Sequence, residues 1–299
     1  MNIKIENENI TAVFSPLAGA SLRSLSVRKN KEKYDIISNF EDELSPNKLP
    51  LGSGSFIMAP WVNRIKSGIL ETDKGFTQLP KDTFFKDHVN AIHGIVFNKD
   101  WTIDFHEENQ FQCSIDLTSP WPFKAKIVMK AFFQDNALIQ ELKGYNQDEI
   151  TMPIGMGWHP WFKRILKNEQ AILKINAKSM WELDDKGIPT GILIEDNEIL
   201  NKLRTGLIPE IDELNKCCLK VNPNDQISYK WPELELFIES SEDLGHIMLY
   251  SPKDSVCVEP QTTTVNAFQM SNSGISGTGV KYLGKGESFT VSTKWSIDF

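Results

Sequence analysis

The chain has 299 residues, 40% of them hydrophobic and 24% charged, enough for one large all-β domain or two ordinary domains with a sizeable core. Lys and Arg number 32 against 40 Asp and Glu, a net charge of -8. An acidic chain without a basic run excludes nucleic acid and anionic membrane as expected partners and leaves neutral ligands open.

The first ten residues, MNIKIENENI, lack the basic and apolar regions of a signal peptide. No apolar run approaches the ~18 residues that cross a bilayer. The cysteines Cys113, Cys217, Cys218 and Cys257 form no CxxC and no disulfide framework, so they read as free packing residues in a reducing, cytoplasmic compartment. A short helix is expected over Phe40 to Leu44. Two polar segments among aromatics follow, APWVNRIKSG at 59–68 and VNAIHGIVFNKDW at 89–101. Trp101, Ile103 and Phe105 then alternate with polar residues, as do Phe111, Cys113, Ile115 and Leu117, the period of half-buried strands. Turn signals stand at Gln134-Asp135-Asn136, Asn222-Pro223-Asn224-Asp225 and Gly284-Lys285-Gly286.

A third polar segment, PIGMGWHPWF, occupies 153–162, and a second short helix is expected over Asn197 to Leu203. The fourth segment, VCVEPQTTTVNAF at 256–268, places Glu259 at the end of an apolar strand. The glycine-rich stretch Ser271 to Gly279 reads as a surface loop and candidate lid. Phe289, Val291, Thr293, Trp295, Ile297 and Phe299 close the chain as one more alternating strand. Strands without a βαβ rhythm predict an all-β sandwich or barrel. No linker divides the chain, so one domain over 1–299 is expected.

Each polar segment taken alone has an ordinary reading. His93 before Gly94 can be a turn histidine, Arg64 a surface ion-pair residue and Glu259 a turn cap; Trp158 and Trp161 can be core aromatics. Together, and in this order, the segments resemble the aldose 1-epimerase family, also called galactose mutarotases. The resemblance rests on Asn63-Arg64, on Asn90 through His93-Gly94, on Gly157-Trp158-His159-Pro160-Trp161-Phe162 and on Glu259-Pro260-Gln261-Thr262. The closing LGKGESFTVSTKWSIDF is similar to the family's last turn and strand, so the likeness runs from about residue 12 to 299.

The resemblance implies an antiparallel β-supersandwich. It also implies interconversion of the α and β anomers of a free hexose, with His159 as general acid and Glu259 as general base. Asn63, Arg64 and His93 become sugar ligands, with Trp158 among the aromatics (Trp158, Trp161, Trp61, Phe268) able to face a pyranose. A family aspartate that binds sugar hydroxyls meets IDELNKCCL here, where either Asn215 takes its place or Asp212 supplies it. An amide donates and accepts, whereas an ionised carboxylate only accepts, so hydroxyl selectivity turns on this choice.

The chemistry fits these residue types. Opening a hemiacetal takes a base at the anomeric hydroxyl and an acid at the ring oxygen. A carboxylate with a reference pKa of about 4.3 and an imidazole of about 6.5 supply both near neutrality. No cofactor or metal is expected, since HExxH and HxH are absent; GVKYLGKG lacks the final Ser/Thr of a P-loop, and no GxSxG occurs. The expected partner is a small sugar, with the chain a monomer or homodimer. Two alternatives stay open. One is a hexose-6-phosphate 1-epimerase, for which Lys66, Lys163 and Arg164 are the candidate phosphate-binding cations. The other is a non-catalytic sugar-binding protein on the same scaffold.

Overall fold

The computed structural model describes residues 2–38, 52–85, 87–215 and 217–298. The helix expected over Phe40 to Leu44 lies outside them. The alternating runs form sheets, and two large antiparallel ones carry the fold among the described residues, of eleven and eight strands. The eight-stranded sheet runs from an edge at Thr102–His106 through Gln110–Leu117, Ala125–Gln134, Ala137–Asn146, Ser288–Asp298 and Glu235–Ser240. The eleven-stranded sheet carries, side by side, Ser55–Met58, Gly157–Lys163, Ser255–Gln261, His246–Tyr250, Cys217–Val221 and Ala177–Leu183.

Alternation explains most of the packing. Phe289, Val291, Thr293, Trp295 and Ile297 are all buried, as one face of a central strand must be. One expectation changes: Ile103 is 38% exposed. Its strand is the sheet's edge, where neighbours cover only one side. The helix expected at 197–203 forms as Glu198–Thr205, with the Asn197 side chain accepting from the Leu200 N–H as cap. The four cysteines are free and buried.

Ser255–Gln261 is buried along its whole length. Val256 and Val258 join the main core, as do Ile57, Trp158 and Phe162 from the neighbouring strands. The alternate residues of the same strands face away from that core, and the site stands on this second face. The Ser271 to Gly279 stretch is not a lid over it. Ala267–Asn272 is a helix, and the following loop is tied back where Thr264 N–H donates to the Thr278 carbonyl. There a Cβ on Gly279 would stand 2.0 Å from the Thr262 carbonyl oxygen.

His246 gives the fold an acid sensitivity. It is 3% exposed, and burial pushes its imidazole down to about 4. The unfolded value is about 6.5. Above the unfolded value both states are neutral and the contribution is complete. As pH falls from there toward the folded value, only the unfolded chain takes up the proton, so stability is lost. The expected slope from this group is about 1.4 kcal/mol per pH unit. Urea unfolding from pH 7 to 5 should show a shallower loss in His246→Gln than in wild type; equal slopes would remove His246 as a cause.

Candidate active site

Strand register builds the centre of the site. Gly157 stands opposite Gln261 and Trp161 opposite Cys257, which sets His159 across from Glu259. On one side His159 stands opposite Phe56; on the other, Glu259 stands opposite Met248, and Met248 opposite Cys218. Residues 100 apart in sequence therefore share one row across one sheet face. Small apolar clusters flank it: Phe56, Met58, Val62 and Phe97 at one end, and Trp181, Ile188, Cys218 and Met248 at the other.

His159 Nε2 lies 3.2 Å from Glu259 Oε1, and the residues are 5% and 2% exposed. The imidazole is held between two rings: Phe56 at 4.6 Å and 27° on one neighbour strand, and Trp161 at 5.2 Å and 12° on its own. Burial decides the proton positions. It pushes the His159 imidazole down to about 3. It raises the Glu259 carboxyl well above the usual carboxylate range, against the pull of Arg64. The sequence reading expects a charged pair; low dielectric reverses both members. The carboxyl–imidazole form that burial favours and the carboxylate–imidazolium form differ only by one proton transfer. His159 Nδ1 and Glu259 Oε2 are buried without a hydrogen-bond partner.

Two loops supply the walls. Arg64–Ile65 pairs with Ala91–Ile92, so the first two polar sequence segments meet as one small sheet. Asn63 and His93 both adopt left-handed backbone, at φ 50 and φ 59, conformations that concentrate at functional sites. The next residue must be glycine: a Cβ on Gly94 would sit 1.8 Å from the Ala59 carbonyl oxygen. Asn63 donates to Gln261 Oε1 at 3.1 Å, and His93 Nδ1 lies 2.9 Å from the Met58 sulfur. Burial, then the neighbouring His159 and Arg64, keep the His93 imidazole neutral, well below its ordinary value. Arg64 Nε donates to Asp87 at 2.9 Å. Burial raises the Asp87 carboxyl, but hydrogen bonds from Asn90, Arg64 and the Val89 N–H outweigh it, and the group stays an anion below its usual range.

The cleft above the pair is about 730 Å³, within the usual range for small-molecule sites. Asn63, Arg64, His93, His159 and Glu259 all line it, although they span residues 63 to 259. Asn215 lines it too, whereas Asp212 is exposed and stands behind, accepting from Asn215 Nδ2 at 2.8 Å. The Asn215 side-chain Oδ1 accepts the Ser251 N–H at 3.2 Å.

Trp158 is the correction among the proposed ligands. It is 1% exposed and belongs to the core, because the pleat sends residue 158 to the face opposite His159. Trp61 and Phe268 are buried as well, and it is Trp161 that lines the cleft. Trp158→Phe is expected to lower stability by roughly 1–3 kcal/mol through lost packing while leaving KM for sugar unchanged. A raised KM with normal stability would return Trp158 to the site.

The sequence reading missed Asp87, Phe56 and the turn that carries Lys186. Asp87 stands three residues before Asn90, whose N–H and side-chain amide it accepts, a local pattern that sequence can signal. Phe56 meets His159 through register alone. Lys186 lines the cleft from a turn between Ala177–Leu183 and Pro189–Ile194 that has no polar motif of its own.

The paired antiparallel sheets superpose on galactose mutarotase-like structures. One from Clostridium acetobutylicum, a galactose mutarotase-like protein, superposes with a TM-score of 0.83 at 18% identity, covering 99% of this chain and 94% of that one. An aldose epimerase homologue from C. elegans gives 0.81 at 19% identity, covering 100% and 98%. The Escherichia coli protein YihR, described as uncharacterized, is 24% identical over 242 residues, 77% of this chain and 75% of that protein. The family model for aldose 1-epimerase matches residues 1–294, and the chain belongs to the aldose 1-epimerase family. No helix among the described residues is long and apolar enough to cross a membrane.

Proposed function

We propose that the protein is a cofactor-independent mutarotase that interconverts the α and β anomers of a free hexose, with His159 and Glu259 exchanging protons with the sugar. The observation that carries this reading is the 3.2 Å His159–Glu259 contact at the cleft, in which each side chain keeps one unpartnered polar atom. Binding alone has no use for a buried acid–base pair that costs desolvation energy.

One member of the pair takes the proton of the anomeric hydroxyl while the other protonates the ring oxygen as its C–O bond breaks. Glu259 is the base and His159 the acid, acting from the carboxylate–imidazolium form. The open aldehyde turns about C1–C2, the ring oxygen attacks the other face, and both protons return. The pair ends as it began, and the single shared proton supplies the opposite protonation states the step needs. Arg64, anchored by Asp87, stabilises charge developing on sugar oxygen. Asn63, His93 and Asn215 read hydroxyls, and Trp161 offers an apolar ring to the sugar's C–H face. The four buried free cysteines support a reducing, cytoplasmic setting.

The 6-phosphate alternative loses the cations assigned to it. Lys66, Lys163 and Arg164 do not line the cleft; Arg164 donates instead to the carbonyls of Pro209, Glu210, Ser251 and Pro252. Polarimetry of freshly dissolved α-glucose, α-galactose and α-glucose 6-phosphate tests the reading. Faster rotation change with a free sugar supports it. Acceleration confined to the phosphate supports the alternative, with Lys186 as the cation to examine, and acceleration of none supports a binding protein.

A further inference from the structure

Cys257 is a nucleophilic group beside the pair that the proposed mechanism leaves unused. It lies two residues before Glu259 on the same strand, so both side chains point to the same sheet face, and it stands opposite Trp161. One ligand atom each from His159, Cys257 and Glu259 lie within 4.8 Å of one another. In a tetrahedral zinc site, bonds of 2.0–2.3 Å place ligand atoms about 3.5 Å apart, so closing by about 1 Å makes the three into a site. Two unpartnered buried atoms, His159 Nδ1 and Glu259 Oε2, show that the pair has lone-pair capacity the protein itself does not satisfy.

We propose that His159, Cys257 and Glu259 form an inhibitory site for a thiophilic divalent cation, with zinc the ion of best fit. Thiolate, imidazole and carboxylate are all zinc ligands, and a set of three leaves the fourth position open to water from the cleft. The thiolate selects against magnesium and calcium, which prefer oxygen. The charges balance. Binding releases the thiol proton and the one proton held by the His159–Glu259 pair, and the two resulting anionic ligands neutralise the dication. The buried site is therefore neutral before and after, which limits the desolvation cost of an ion at this depth. No electron is transferred and no other bond changes.

An ion held here occupies the lone pairs that would exchange protons with sugar, so metal and turnover exclude one another. That consequence rests on the mutarotase reading; the binding itself does not. Cobalt(II) separates the two, because a tetrahedral cobalt–thiolate site reports itself by a sulfur-to-metal charge-transfer band whether or not the protein turns over. Metal-free protein titrated with cobalt chloride should develop that band at one equivalent, and zinc chloride should abolish it. Cys257→Ser should lose the band, while Cys113→Ser, altered in the other large sheet, should keep it. In parallel, zinc chloride should suppress wild-type mutarotation at least tenfold and magnesium chloride should not. Cys257→Ser, measured against its own metal-free rate, should resist zinc. A band that survives in Cys257→Ser, or no band in wild type, overturns the site. If Cys257→Ser does not fold, Cys257→Ala carries the same test. A normal cobalt band in a protein that never turns over would retain the site and sink the mutarotase reading instead.

Discussion

Glu259→Gln is expected to lower kcat for anomer exchange by roughly 10²–10⁴, about 3–5 kcal/mol of transition-state stabilisation, with little change in sugar affinity. Gln keeps the shape of the side chain and its place opposite His159, but an amide neither holds nor releases the shared proton. His159→Asn should fall by a similar factor, and the double variant should lose little more, because two members of one proton-sharing unit are not additive. Sugar affinity is read separately by calorimetry. Near-normal turnover by Glu259→Gln would end the assignment of this pair. An equal loss of affinity and turnover would make Glu259 a ligand rather than a proton carrier.

The second large effect belongs to a glycine. A Cβ on Gly94 would meet the Ala59 carbonyl oxygen at 1.8 Å and its carbon at 2.4 Å, at a φ of +77. The contact cannot be relieved by turning a side chain, because the atoms are backbone. Ala59 is also fixed on its own side, its carbonyl accepting the Ile95 N–H at 2.9 Å. Gly94→Ala must therefore separate the 59–65 and 91–95 segments, whose residues include Asn63, Arg64 and His93. Expected are a stability loss of roughly 3 kcal/mol and a fall in kcat/KM of about 10²-fold, from strain and from misplaced ligands. Gly75→Ala is the control: its φ is +87, but a Cβ there meets nothing within 4 Å. It should cost about 1 kcal/mol and leave turnover alone. Urea midpoints and polarimetry on both variants decide the matter. Equal effects would mean that the Ala59 contact is unimportant.

How much of this was legible in the sequence differs by level. The alternation of Phe289 through Ile297 predicted a buried strand face because one strand carries its own period. His159 and Glu259 were legible as residue types in polar segments, and the family resemblance gave them roles. Their 3.2 Å contact was not legible, since it follows from pairing between strands 100 residues apart in the chain. Trp158 shows the same limit in reverse. It sits beside His159 in sequence, yet the pleat turns it to the core, and only the register says which of two neighbours faces the cleft. The choice between Asp212 and Asn215 was likewise open until the turn at 211–215 set Asn215 at the cleft and Asp212 behind it. The effect of burial on protonation was not legible either: reference pKa values belong to solvated groups, and this pair is almost fully buried.

The proposed activity is anomer exchange through the His159–Glu259 pair. Saturation transfer between the H1 resonances of α- and β-glucose, or of α- and β-galactose if glucose proves a poor substrate, tests it most directly. It observes the exchange at equilibrium, with no coupling enzyme and with chelator present. Wild-type protein should transfer saturation from one anomer to the other at a rate proportional to protein concentration, and Glu259→Gln at the same concentration should exceed the buffer rate by roughly 10²–10⁴-fold less. Wild-type transfer no faster than buffer with either sugar would contradict the account.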